Sequence, residues 1–207
     1  NNKDFKIRDL INYSVTLYEE QSFKFENKLV QKELIDFLVD RLKYYMQEKE
    51  IRLDIIEASL NSFNIDNITK IYNKSDVLNN YINKEIGTDI ILSYKRASNI
   101  LQQELRNREL EISNTTDPGL FKSEYEKNLY KKIYELKKYF NSINNDENYK
   151  LTLENLAESK KVIFDFFDNV KVNDDDKKIQ KNRLELLQML CKTFDNYITF
   201  SSIDNLQ

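Results

Sequence analysis

Two glycines and one proline in 207 residues leave little material for tight turns. Strand-rich folds need many turns, and glycine is the residue that enters positive φ without strain. A chain this poor in both residues therefore reads as long helices joined by polar loops. Hydrophobic residues make up 40% of the chain and aromatic residues 12%, enough for a proper core. The length suits one domain, or one domain with a helical extension.

Apolar spacing places the helices. Ile7, Leu10, Ile11, Val15 and Tyr18 share a stripe over residues 5–18, and a polar break follows at Gln21–Asn27. Leu34, Phe37, Leu38, Leu42, Tyr45 and Met46 do the same over 28–49. Shorter helices are expected near 53–60 and 67–82, the second capped by Asn67, with Gly87 separating them from a helix over 88–105. Residues 107–119 form the clearest loop. There Asp117-Pro118 reads as the start of a helix near 120–142, with Tyr125, Leu129, Ile133, Leu136 and Phe140 facing inward. A polar turn at 144–148 precedes helices near 149–169 and 175–197. The expected fold class is all-α, a helical bundle of about seven to eight helices without internal repeats.

Composition excludes several chemistries. The chain has no histidine and one cysteine, Cys191, so Ser-His-Asp and Cys-His nucleophiles and structural zinc sites are ruled out. Two glycines cannot build a phosphate-cradling loop. No catalytic residue and no resident cofactor or metal is expected. The run Asn173-Asp174-Asp175-Asp176 lacks the alternation, glycine and closing glutamate of a calcium loop, and reads as capping at a helix N-terminus. A lone cysteine fits a reducing compartment, and Cys191 beside an apolar stripe reads as core filler. No apolar run approaches the roughly 20 residues of a membrane span. A soluble, cytoplasmic chain without a membrane partner is expected, and a first residue other than Met reads as a piece of a larger polypeptide.

The formal net charge is −3, so any nucleic-acid site must be a local patch, and a DNA-coating role is not expected. Lys127, Lys131 and Lys138, flanked by Lys132 and Lys137, line one helix face, and Lys177, Lys181 and Lys192 another. Abundant Asn, Lys, Ile and Tyr reflect an AT-rich codon bias, which discounts such faces as ordinary solvated surface. In Tyr94–Ile100, Arg96 and Asn99 are neighbours on a helix surface, with Lys95 on an adjoining face. These groups can read unstacked bases, while the alternative is a helix packed on two sides whose arginine bonds a neighbouring helix end. Arg183 lies within the stripe Ile179, Leu186, Leu187, Leu190 and Phe194. A buried arginine needs a partner. Asp168 is the expected one, in a structural ion pair with Arg183, with direct RNA contact as the alternative.

The order F-F-D-x-V-x-V at Phe166–Val172, an acidic turn, then N-R-L-x-L-L at Asn182–Leu187 resembles the C-terminal segment of the bacterial glycyl-tRNA synthetase beta subunit. Glu33–Met46, Leu53–Ala58, Tyr94–Leu101 (YKRASNIL) and Leu151–Phe167 are similar to further segments of that family in the same order, over about residues 33–203. Lys171 stands where the family often has Met, and Ile198–Ser201 departs from its A-D-I-S run. The resemblance implies a DALR-type anticodon-binding domain over 86–207, preceded by a helical extension over 1–85. It also implies glycine tRNA as partner, bound by its anticodon arm, and an alpha subunit that handles glycine and ATP. On that reading Lys95, Arg96, Asn99, Lys181 and Asn182 are the candidate tRNA contacts. The competing reading is a helical protein-interaction module that docks the partner subunit and touches no RNA.

Overall fold

The computed structural model describes residues 6–62, 65–106, 112–113, 115–142 and 148–203. Among them are nine α-helices: α1 (Ile7–Glu20), α2 (Asn27–Glu48), α3 (Leu53–Ser62), α4 (Ile68–Tyr81), α5 (Glu85–Arg106), α6 (Glu124–Ser142), α7 (Tyr149–Ala157), α8 (Lys160–Asn169) and α9 (Lys177–Phe194). Short 3₁₀ turns stand at Pro118–Leu120 and Phe200–Ser202. The all-α expectation holds, and three local differences have identifiable causes.

The helix expected near 149–169 is two. The Ser159 hydroxyl bonds the Leu156 carbonyl, and the Ser159 amide reaches the same oxygen at 3.2 Å, so the last turn tightens and the axis breaks. Asp117-Pro118 starts a single 3₁₀ turn, with Asp117 accepting from the Gly119 amide at 2.8 Å, and α6 begins only at Glu124. Gly87 does not separate helices but sits in the first turn of α5, where α5 crosses the end of α4.

Side-chain caps fix other boundaries. Asn67 accepts from the Lys70 amide at 2.8 Å, Asn148 from the Leu151 amide at 3.1 Å and Asp176 from the Lys178 amide at 2.9 Å. Asp174 accepts from the Asp176 amide at 3.0 Å, so the acidic run serves the α9 N-terminus.

Helix α9 is the centre of the bundle. Twelve of its eighteen residues are buried, including the polar Gln180, Asn182, Arg183, Glu185 and Thr193, which a surface helix would expose. It packs against α5 and α6, while α8 packs against α5 and α6 from another side. One hydrophobic cluster runs from Leu42 through Ile55, Ile71, Ile90, Ile133 and Phe166 to Phe194 and Ile203. Residues on both sides of position 85 share that cluster. The α1–α2 hairpin contributes less: Ile11, Val15, Leu42 and Met46 are buried, while Tyr13, Tyr18, Phe23, Phe37 and Tyr44 stay exposed.

Lys74 on α4 is a buried cation, 7% exposed. Its Nζ donates to the Tyr197 carbonyl at 3.3 Å and lies 5.3 Å from the Tyr197 ring and 6.0 Å from the Tyr149 ring. Burial first, and then the neighbouring charge of Lys70, lower its pKa to about 7. The unfolded chain, with Lys74 at its ordinary value of 10.5, therefore binds more protons between about pH 7 and 10.5. Stability from this site rises with pH across that window and is lowest below it. Lys74→Met should raise the melting temperature most below pH 7, with the gain shrinking toward pH 10. A gain independent of pH in thermal melts would contradict a depressed Lys74.

Candidate nucleic-acid interface

The segment Tyr94–Ile100 lies on α5 and splits between core and surface. Tyr94 and Ala97 are buried, and the Tyr94 hydroxyl donates to Asp195 at 3.3 Å. Burial, and then the Asp195 charge, push the Tyr94 pKa up, so the phenol stays protonated. Arg96 does not project freely. Its guanidinium lies 4.9 Å from each of the Phe164 and Phe167 rings on α8 and donates to Asp168 at 2.8 Å. The side chain keeps 34% exposure, so one part of the guanidinium still meets solvent. Stacking and the carboxylate fix its orientation. Asn99 is exposed one turn away and Lys95 is half-buried.

The Asp168–Arg183 ion pair does not form. Asp168, at the end of α8, turns to Arg96 on α5 instead. Arg183, 6% exposed, donates from Nε to Glu126 at 2.8 Å and from one terminal nitrogen to Asp174 at 2.6 Å and to the Lys171 carbonyl at 2.8 Å. Glu126 is 0% exposed, and its other oxygen accepts from the Lys122 and Ser123 amides, each at 2.8 Å. Burial alone would raise the Glu126 pKa, but the bonds from Arg183 and these amides outweigh it and lower the value. The expectation that Arg183 is buried and paired is correct and its partner was wrong. Asp168 is nearer in sequence, while Glu126 is 57 residues away and reachable only once α6 has packed on α9.

Asn182 is also a structural residue. It is 2% exposed; its Oδ1 accepts from the Asp117 amide at 2.7 Å and its Nδ2 donates to the Asp117 carbonyl at 3.0 Å. This two-point clamp uses both ends of the side-chain amide to fasten the 115–117 segment to α9, so Asn182 is not a surface contact. Lys181 is half-buried at the mouth of the same region. Together with Lys178, Thr115, Thr116, Asp117, Leu120, Asn182 and Glu185 it lines a cleft of about 290 Å³. Glu185 there is already engaged by the Ser113 amide at 3.0 Å and hydroxyl at 2.7 Å.

A second cleft, about 250 Å³, opens between α6 and α8. Tyr125, Asn128, Lys131, Lys132 and Glu135 line it from α6, with Val162 and Asp165 from α8. Tyr125 was expected to face inward but is 38% exposed, at the edge of a stripe whose Leu129, Ile133 and Leu136 are buried. Of the lysines on this helix, Lys127 pairs with Glu124 at 2.7 Å and Lys132 lies 3.7 Å from Glu158. Asn128, Glu135 and Asp165 of this cleft had no signal in the sequence, whereas Lys131 and Lys132 belong to the lysine face read there. Tyr125, Asn128, Lys132 and Glu135 share one edge of α6, spaced i, i+3, i+7, i+10.

Cys191 is buried, and burial, helped by the Asp195 charge, pushes its thiol up to about 12. That value suits core packing and not nucleophilic work.

The DALR anticodon binding domain family matches residues 90–206, more than half of the chain, from within α5 through α9. The chain belongs to the DALR anticodon-binding domain family. Every candidate contact, Lys95, Arg96, Asn99, Lys181 and Asn182, falls inside the DALR region, as do both clefts. Across nearly its whole length the chain is also similar to proteins named glycine–tRNA ligase beta subunit. It is 33% identical over 203 residues to that of Rickettsia africae (strain ESF-5), covering 98% of this chain and 28% of the relative. To that of Rickettsia prowazekii (strain Madrid E) it is 32% identical over 200 residues, covering 97% and 28%. To that of Rickettsia bellii (strain OSU 85-389) it is 32% identical over 203 residues, covering 98% and 28%. The chain thus spans little more than a quarter of the length of these relatives. No helix among the described residues is long and apolar enough to cross a membrane.

Proposed function

We propose that this chain is the tRNA-binding region of a glycine–tRNA ligase beta subunit and holds the anticodon arm of glycine tRNA. The observation that carries the reading is the DALR match over residues 90–206, together with relatives of that name aligned over 98% of the chain. The surface supports it locally: α6 and α9 carry exposed or half-exposed Lys131, Lys178 and Lys181 at the two clefts, despite a net charge of −3. Lys95, Arg96, Asn99 and Lys181 remain the candidate contacts, while Asn182 serves by holding the 115–117 segment in place. In this reading glycine activation with ATP belongs to the alpha subunit, and the complex works in the cytoplasm.

Titration of a glycine-tRNA anticodon stem-loop against the chain tests this. Affinity should fall as salt rises, with a slope set by the number of phosphates contacted. Equal binding to every tRNA stem-loop, or a salt-independent signal, would sink the proposal.

One observation favours a second reading, a module that docks a partner subunit without touching RNA. The α1–α2 hairpin exposes Tyr13 at 65%, Tyr44 at 59% and Phe23 at 57%, an apolar surface of the kind that docks another protein. If that reading is right, no stem-loop binds even at low salt and the chain associates with the alpha subunit alone.

A further inference from the structure

Helices α1 and α2 each carry two apolar stripes, and the fold buries one of them. On α1, Ile11 and Val15 are buried where the helix packs on α2, while Leu10, Tyr13 and Leu17, spaced i, i+3, i+7, are exposed. On α2, Leu42 and Met46 are buried, while Leu34, Phe37 and Tyr44, spaced i, i+3, i+10, are exposed. Arg41 falls in the same row at i+7, and its guanidinium lies 5.2 Å from the Phe37 ring. A surface helix needs one stripe, and a helix apolar on two sides belongs inside a larger assembly.

The hairpin also stands apart from the bundle. Leu42 and Met46, in the last two turns of α2, join the core cluster, whereas Ile11 and Val15 do not. The start of α1 is fastened to Asp66 by the Arg8 amide at 3.2 Å and guanidinium at 3.5 Å. The DALR match begins at residue 90, so the hairpin lies outside that domain.

Two observations indicate what covers the open stripes. The relatives align with 98% of this chain, a span that takes in the hairpin, yet that span is 28% of their length. Most of each relative is therefore polypeptide with no counterpart among these residues. The open face is also rich in tyrosine, with Tyr13, Tyr18, Tyr44 and Tyr45 all exposed. Interfaces between domains of one chain are more polar than those of obligate subunits. A tethered neighbour closes such a face because its effective concentration is high, without needing a strongly apolar contact.

We propose that the open stripes of α1 and α2 seat polypeptide of the same beta chain lying outside residues 1–207. The hairpin is then an intramolecular interface between the DALR bundle and the rest of that chain, with Leu10, Tyr13, Phe37 and Tyr44 as its contacts. The proposal rests on the beta-subunit reading and is independent of RNA contact.

The test is tyrosine nitration of the full-length beta chain that carries these residues, mapped by peptide mass spectrometry. Tyr134 on α6 is the internal reference, 63% exposed against 65% for Tyr13 and 59% for Tyr44. In the monomeric chain alone, Tyr13 and Tyr44 should react about tenfold more slowly than Tyr134, because only transient opening of the interface exposes them. Phe37→Lys, at a position exposed within this fold, should bring both to within about twofold of Tyr134 by placing an unpaired ammonium in the interface. Protection that survives Phe37→Lys would overturn the proposal. Protection that appears only after the alpha subunit is added would give the face to the partner subunit instead. Protection confined to a dimeric fraction, sized by light scattering, would give it to a second copy, and reactivity matching Tyr134 throughout would leave it open to solvent. The labelling uses no RNA, so the stem-loop titration decides the anticodon-arm reading whichever of these results is found.

Discussion

Arg183→Ala should destabilise the chain by about 3–5 kcal/mol, the cost of leaving one partner of a buried ion pair uncompensated. Glu126 is 0% exposed and Arg183 6%, so water cannot replace the lost guanidinium without opening the α6–α9 contact. The loss also releases Asp174 and the Lys171 carbonyl, which the same guanidinium holds at 2.6 and 2.8 Å. Urea denaturation reads the effect directly. A double variant, Arg183→Met with Glu126→Gln, should recover part of it, because no charge is then stranded. The network has a pH signature too. The Glu126 pKa is lowered in the fold, so its contribution is fully present above the ordinary carboxylate value of about 4.3 and is lost as pH falls through the lower folded value. A midpoint change equivalent to less than about 1 kcal/mol for Arg183→Ala would mean the triad does not hold α6 to α9.

Gly87→Ala should be the second large effect, and its sign separates helix propensity from tertiary packing. Gly87 is the third residue of α5, where alanine would by propensity alone stabilise the helix by about 1 kcal/mol. A Cβ there, however, would stand inside van der Waals contact of the Tyr81 carbonyl oxygen and of the Ile82 Cα and carbonyl oxygen. These are backbone atoms at the end of α4, with no rotamer to give way. Overpacking costs roughly 1–3 kcal/mol where side chains can adjust, and here the upper end of that range or more is expected, outweighing the propensity gain. A variant as stable as the parent in chemical denaturation would contradict a backbone-to-backbone α4–α5 contact at Gly87.

The helix pattern was largely legible because periodicity is a local property. A stripe such as Leu129, Ile133 and Leu136 announces a buried face whatever it packs on, and Asn67 and Asp176 cap their helices through amides two or three residues away. The same logic placed Arg183 in the core. It failed wherever the deciding atom lay on another helix. Arg183 chose Glu126 over Asp168 and Asn182 was turned to the Asp117 backbone, whereas Arg96 bonds the end of a neighbouring helix, as the alternative reading of Tyr94–Ile100 expected. In each case a side chain that reads as RNA-binding chemistry in one dimension is satisfied inside the protein. The groups left without a partner, among them Asn128, Glu135 and Asp165, carry no motif at all.

By itself, then, the amino-acid sequence determined an all-α chain, the stripes that form its core, and ordered motifs matching a family whose DALR region covers residues 90–206. Scarce glycine and proline, apolar spacing and short-range capping act within a few residues, so they survive without knowledge of the fold. Only the tertiary structure decided which polar side chains are committed and which face a cleft. Hydrogen-bond partners 57 to 72 residues apart are selected by helix packing, and no local pattern encodes that choice.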